Sequence, residues 1–312
     1  MSTATRHALS LLLGALVWLA ACDPFGPADY TRTDEASVAA TSGTAPWAAS
    51  GEKLHLRVVA ANLTSGDHQT YEAPGTRILQ ALHPDVALLQ EFRYGDNTAA
   101  DLRTFVDDAF GTEYVYHRGD GEALPNGIVT HLPVLEAGTW RDPKTATRTF
   151  LWARLDVPGD RDLWAVSLHL LTSSTTARKA EAVALVAEVR EHVPESDLLV
   201  IGGDLNTGSR VETCLTTLGG IVSTAAPYPV DQNGNNRTNS SRTKPYDWVL
   251  PDPDLASLEV AVTVGASVFP DGLVVDSRVY QPLEELAPVE ATDSSATNMQ
   301  HMAVVKDFEV VP

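Results

Sequence analysis

The stretch LLVIGGDLNTGSR, residues 198–210, climbs through an apolar run to two glycines and then presents Asp204, Leu205 and Asn206. The apolar run reads as a buried strand. In an extended segment, side chains two apart share a side, so Asp204 and Asn206 are expected to reach into one cleft. Gly202 and Gly203 leave room for a ligand or another backbone to approach. Asp, Asn and Gly also make ordinary turns, and that reading stands beside the first.

Working outward, strand and helix patterns alternate from Leu54 onward. LHLRVVAANL is β-branched and apolar, and DVALLQEF is a second buried strand. Between them APGTRILQALH has helical spacing with Pro74 near its start. NTAADLRTFVDDAF reads as a helix capped by Asn97. Five strands follow: EYVYHR, NGIVTH, VLEAGTW, TFLWARLDV and DLWAVSLHLL. A long helix is expected over 173–192, opened by Ser and Thr, and a short one around Cys214. Residues 227–244 form a polar loop without periodicity, and then come YDWVLP, LEVAVTVGASVF and HMAVVKDFEVV as strands. Such a mixture implies packed sheets covered by helices.

The N-terminus has a different character. Arg6 and His7 precede ALSLLLGALVWLAAC, which is too short for a good membrane span. Its close in Leu19-Ala20-Ala21-Cys22 resembles a bacterial lipoprotein signal. That implies a signal peptide over 1–21, Cys22 as the lipidated first residue, and attachment to the membrane of the cell envelope on its extracytoplasmic side. Residues 22–52, rich in Ala, Ser, Thr, Pro and Gly, read as a flexible tether. The folded domain is then 53–312. The other cysteine, Cys214, reads as a small buried apolar residue, and two cysteines exclude a thiolate zinc cluster.

The 312 residues are 44% hydrophobic and 20% charged, an ordinary globular composition, with a net charge of -19. That charge argues against a protein held on nucleic acid by a broad basic surface. It leaves room for an enzyme whose bound cation or local Arg/Lys cluster supplies the positive charge. Two small clusters exist: Arg237, Arg242 and Lys244, and Arg141, Lys144 and Arg148. They read either as solvated surface or, at a cleft, as contacts to a polyanionic backbone.

Several strands end in polar groups: VVAANL in Asn62, ALLQEF in Glu91, VSLHL in His169, GGDLN in Asp204 and Asn206, KPYDWVL in Asp247, MQHMAVV in His301. This order, together with NGIVTHLPV, resembles the endonuclease/exonuclease/phosphatase superfamily over about residues 53–310. The resemblance implies an α/β fold, a four-layer sandwich of two mixed β-sheets flanked by helices. It also implies a metal-dependent phosphodiester hydrolase using Mg²⁺, with Mn²⁺ or Ca²⁺ as substitutes. Glu91, Asn62 and residue 300 become the metal-side residues. Asp204 activates water and Asn206 positions it. His169 and His301 stabilise the phosphate, and Asp247 orients a histidine or assists the leaving group. The family usually has Asp before its last histidine, whereas Gln300 stands here, with Asp293 as a nearby carboxylate to compensate. The fold alone does not choose the substrate. A monomeric extracytoplasmic nuclease or phosphodiesterase is the first expectation, with no protein partner. A sphingomyelinase- or phosphatase-like hydrolase of lipid or small-molecule phosphoesters comes next, then a catalytically degenerate binding module.

Overall fold

The computed structural model describes residues 53–119 and 122–312. The expected signal peptide, Cys22 and the expected tether lie outside the described residues. Among those described, no helix is long and apolar enough to cross a membrane.

Two sheets form the body. One runs in the order β10-β14-β1-β2-β4-β3, with β13 also on β14: β1 is Leu54–Ala61, β2 Val86–Leu89, β3 Val115–Arg118, β4 Gly127–Thr130, β10 Glu259–Val260, β13 Leu273–Val275 and β14 Ala303–Val310. The other runs β5-β6-β7-β8-β9: Val134–Trp140, Phe150–Leu155, Leu163–His169, Leu198–Asp204 and Asp247–Pro251. Both are mixed. β1 is parallel to β2 and β7 to β8, while β14 and β9 run antiparallel to β1 and β8.

Strand alternation builds the layers. Leu56, Val58 and Ala60 of β1 meet Ala165 of β7 and Val200 of β8 in the core between the sheets. Val59 and Ala61 turn the other way, onto Ile78 and Leu82 of α1 (Ala73–Leu82) and Phe105 and Val106 of α2 (Ala99–Ala109). On the far side, Val166 and Ile201 pack on Leu185 and Val189 of α3 (Thr175–His192) and Leu215 of α4 (Thr213–Leu218). The result is helices, sheet, sheet, helices: the four layers that the resemblance implied.

Two local expectations are corrected. Helix α2 is capped by Thr98, not Asn97. Thr98 accepts from the Asp101 N–H, and Asp101 reaches back to the Thr98 N–H, a reciprocal box that a lone Asn cannot make. Asn97 lies one residue outside, with φ 61°. The segment 258–269 is not one strand. β10 joins β14, and β11 (Val262–Val264) folds back on β12 (Ser267–Phe269) around Gly265. Gly265 takes φ 56°, a backbone state that glycine adopts without steric cost.

The topology places the polar strand ends together. Parallel β1, β2, β7 and β8 deliver their C-terminal ends, and antiparallel β9 and β14 their N-terminal ends, to one rim. Across the second sheet, His169, Asp204 and Asp247 are register partners on three adjacent strands.

Candidate active site

Asp204 closes β8 and is 1% exposed. Its Oδ2 lies 3.3 Å from His169 Nε2 and 3.6 Å from His301 Nε2. It also accepts from Asn62 Nδ2 at 3.4 Å and Asn206 Nδ2 at 3.1 Å, and Oδ1 takes the Asn206 N–H at 2.8 Å. Asp204 and Asn206 do therefore sit together, though not through strand alternation. The strand ends at Asp204, and Asn206 is in the left-handed region at φ 50°. The aspartate accepts from the backbone two residues on, an Asx turn, and that turn brings the carboxamide back. Here the turn reading and the site reading describe the same structure. The glycines make room for protein rather than ligand. A Cβ on Gly202 would come within 2.6 Å of Leu88 Cδ1, and one on Gly203 within 2.0 Å of the Leu168 carbonyl oxygen.

The two histidines differ. His301 Nδ1 is 3.0 Å from Asp247 Oδ2, and the Asp247 N–H donates to Thr238 Oγ1 at 2.7 Å. Burial alone would lower the His301 pKa, but Asp247 and then Asp204 outweigh it and raise it to about 9. His169 is held well below its usual value, first by burial, then by the positive charges of Arg148 and His301. His301 is thus a cation at neutral pH and His169 is neutral. Asp204 is raised to about 7, chiefly by burial and against the pull of His301, which leaves it able to take a proton near neutrality.

Glu91 comes from the other sheet, two residues beyond β2, with φ 53° and a nearly buried side chain. A non-glycine residue in that region is uncommon, and here it lies at the site. Its Oε2 accepts from Thr64 Oγ1 at 3.1 Å, and the same hydroxyl is 3.4 Å from Asn62 Oδ1. Glu91 Oε1 accepts from Gln69 Nε2 at 3.1 Å and lies 4.0 Å from His169 Nδ1, a buried atom without a hydrogen-bond partner. The oxygens of Asn62 and Glu91 converge on one hydroxyl, a hard donor set that suits Mg²⁺, Mn²⁺ or Ca²⁺. A second cation-compatible group is Asp204, Asp247 and His301, whose ligand atoms lie within 4.8 Å of one another.

Gln300 is exposed, and its side chain hydrogen-bonds to none of these residues. Asp293 does not compensate for it: both of its oxygens are committed to Arg77 on α1. The basic clusters also divide. Arg242 is spent on Asp231 and Asp276. Arg148, just before β6, is 5% exposed, donates to the Leu170 carbonyl, and leaves Nε without a partner. Burial lowers its pKa, opposed first by Asp204, so it contributes a desolvated positive charge to the centre. Thr64, Gln69 and Thr238 support the site from loops. No periodicity or motif marks them in the sequence. Cys214 is buried in α4 and its thiol is pushed up to about 11, chiefly by burial, so it is an inert packing residue.

The rim of the two-sheet sandwich thus gathers three buried carboxylates (Glu91, Asp204 and Asp247), two histidines and two carboxamides. Residues 76–270 match the Endonuclease/Exonuclease/phosphatase family, and the chain belongs to it. Members of this family are phosphoesterases that work with divalent metals.

Solved structures share the fold. The endonuclease/exonuclease/phosphatase from Bacteroides vulgatus is 16% identical with a TM-score of 0.58, over 83% of this chain and 100% of that one. A functionally unknown conserved protein from Enterococcus faecalis V583 is 10% identical with a TM-score of 0.58, over 82% and 100%. A humanized D. rerio TDP2 is 16% identical with a TM-score of 0.52, over 81% and 98%. No curated protein matches the chain in sequence.

Proposed function

We propose that the protein is a divalent-metal-dependent phosphodiesterase of nuclease type, working outside the cytoplasm from a lipid anchor at Cys22. The observation that carries the reaction is Asp204, a buried carboxylate with a pKa near neutrality and both histidines within 3.6 Å. A cation held by Glu91 and Asn62 would supply positive charge to the phosphate oxygens. Asp204 takes a proton from water, and the water oxygen forms the new bond to phosphorus as the ester oxygen leaves. Asn206 orients that water through its carboxamide. His301, kept charged by Asp247, donates to the phosphate, and Arg148 adds a second positive charge. His169, kept neutral, packs its Nε2 3.3 Å from Asp204 Oδ2 and helps to fix the carboxylate's direction. Nucleic acid is the favoured substrate because the exposed Lys144 and Lys244 can meet a polyanionic backbone.

The test is turnover of plasmid DNA, RNA, sphingomyelin and a chromogenic phosphodiester, with Mg²⁺ and with EDTA. DNA or RNA cleavage that stops in EDTA is expected, together with a loss of roughly a hundredfold or more in Asp204→Asn. Full activity in EDTA would refute the metal reading, and sphingomyelin as the sole substrate would refute the nuclease reading. For the anchor, labelled palmitate should enter the wild type in a bacterial host and not Cys22→Ala. A mature N-terminus other than residue 22 contradicts it.

A further inference from the structure

Glu91 is gripped on its outer side by a hairpin to which the phosphate chemistry gives no role. Residues 64–71 fold back on themselves: Thr64 bridges Tyr71, and the N–H groups of Ser65 and Gly66 both reach the Thr70 carbonyl. At its tip His68 and Gln69 both take φ 60°. Two successive non-glycine residues in that region are sterically disfavoured. The segment carrying Glu91 holds both. Arg93 Nη1 donates to the His68 carbonyl at 2.6 Å, and Glu91 Oε1 accepts from Gln69 Nε2 at 3.1 Å. Outside lies a cavity of about 360 Å³, walled by Thr64, Asp67, His68, Gln69, Asn298 and Gln300. Its walls carry polar side chains, which suit a hydrated cation.

We propose that Gln69 is a ligand of the divalent cation held at Glu91, supplying Oε1 as the oxygen that Gln300, on the wall of the same cavity, does not bring to the carboxylate. The inference rests on the metal reading given above. Beside a bare carboxylate, the NH₂ end of the carboxamide faces Glu91. A cation on Glu91 reverses the sign of the local field, and a half-turn of the terminal χ then presents Oε1. That torsion is soft and nearly two-fold, so the exchange needs no backbone movement. The left-handed backbone at 68–69 keeps the carboxamide aimed at the site through both states. This hairpin is fastened to the metal-side carboxylate by its own tip.

The experiment is Mn²⁺ binding to the full chain, followed by the EPR signal of free Mn²⁺, with no substrate present. Gln69→Gly removes the carboxamide while glycine tolerates φ 60°, so the hairpin keeps its shape. Its Kd should rise about fivefold or more, and Gln69→Glu should lower Kd by a similar factor. Wild-type affinity in Gln69→Gly overturns the proposal. Weakening in both variants marks a merely structural hairpin and also overturns it. The two readings fail separately. If Glu91→Gln abolishes binding while Gln69→Gly does not weaken it, only the role of Gln69 falls. If the wild type binds no Mn²⁺, the metal reading falls and takes this one with it.

Discussion

Asp247 and His301 make the pair on which the charge of the centre depends. The folded pKa of His301 is about 9, above its ordinary value, so the imidazolium is present at neutral pH and is lost as pH rises through 9. Asp247 is the largest of the anionic influences holding it up. Asp247→Asn removes that charge, so the alkaline limb of the pH–rate profile should move to lower pH, by about one unit or more. The stability that the charged pair contributes has the same sign: it is complete below the unfolded histidine pKa and disappears through the folded one. A profile that stays in place in Asp247→Asn would mean that His301 does not act as a cation.

At the scale of elements, α3 steers the end of β7. Glu181, fully buried on α3, accepts the Leu171 N–H at 3.1 Å and so fixes the turn that follows His169. Its pKa is raised to about 8, first by burial and then by the negative charge of Asp142. A carboxyl raised in the fold is bound to its proton in the native state at pH values where the unfolded chain has released it. Stability therefore falls as pH rises from the unfolded value of about 4.5 toward 8. Glu181→Gln keeps an acceptor for Leu171 and cannot ionise. The melting temperature of the variant should gain on that of the wild type steadily between pH 5 and pH 8. A constant difference across that range would place the proton elsewhere.

For the whole molecule, the decisive feature is how closely the two sheets approach beside the site. Gly202 of the second sheet faces Leu88 and Ala60 of the first, with a Cβ at 202 falling 2.6 Å from Leu88 Cδ1. Gly202→Ala should cost about 1–3 kcal/mol by forcing the sheets apart. Leu88→Ala alone should cost about 2–5 kcal/mol as a cavity. The double variant should cost less than the sum, because the new methyl enters the space that Leu88 leaves. Additive urea-denaturation energies would show that the two residues do not share that space.

The sequence by itself determined the strand and helix pattern, because apolar periodicity and β-branched runs report which face of each element is buried. It also marked Asn62, Glu91, His169, Asp204, Asn206, Asp247 and His301, since each interrupts or ends an apolar strand. Strand ends are legible because a polar residue there breaks a regular signal. Loop residues carry no such signal, so Thr64, Gln69 and Thr238 became visible only in three dimensions. So did the capping of α2 by Thr98 and the break at Gly265, which depend on local hydrogen bonds and backbone angles. Burial and pairing made the remaining decisions. They took Arg242 and Asp293 out of the site, brought Arg148 into it, and made one histidine charged and the other neutral. A residue's charge and availability depend on what the fold sets against it, and those neighbours are distant in the chain: Asp247 and His301 are 54 residues apart, and Asn62 and Asp204 are 142 apart.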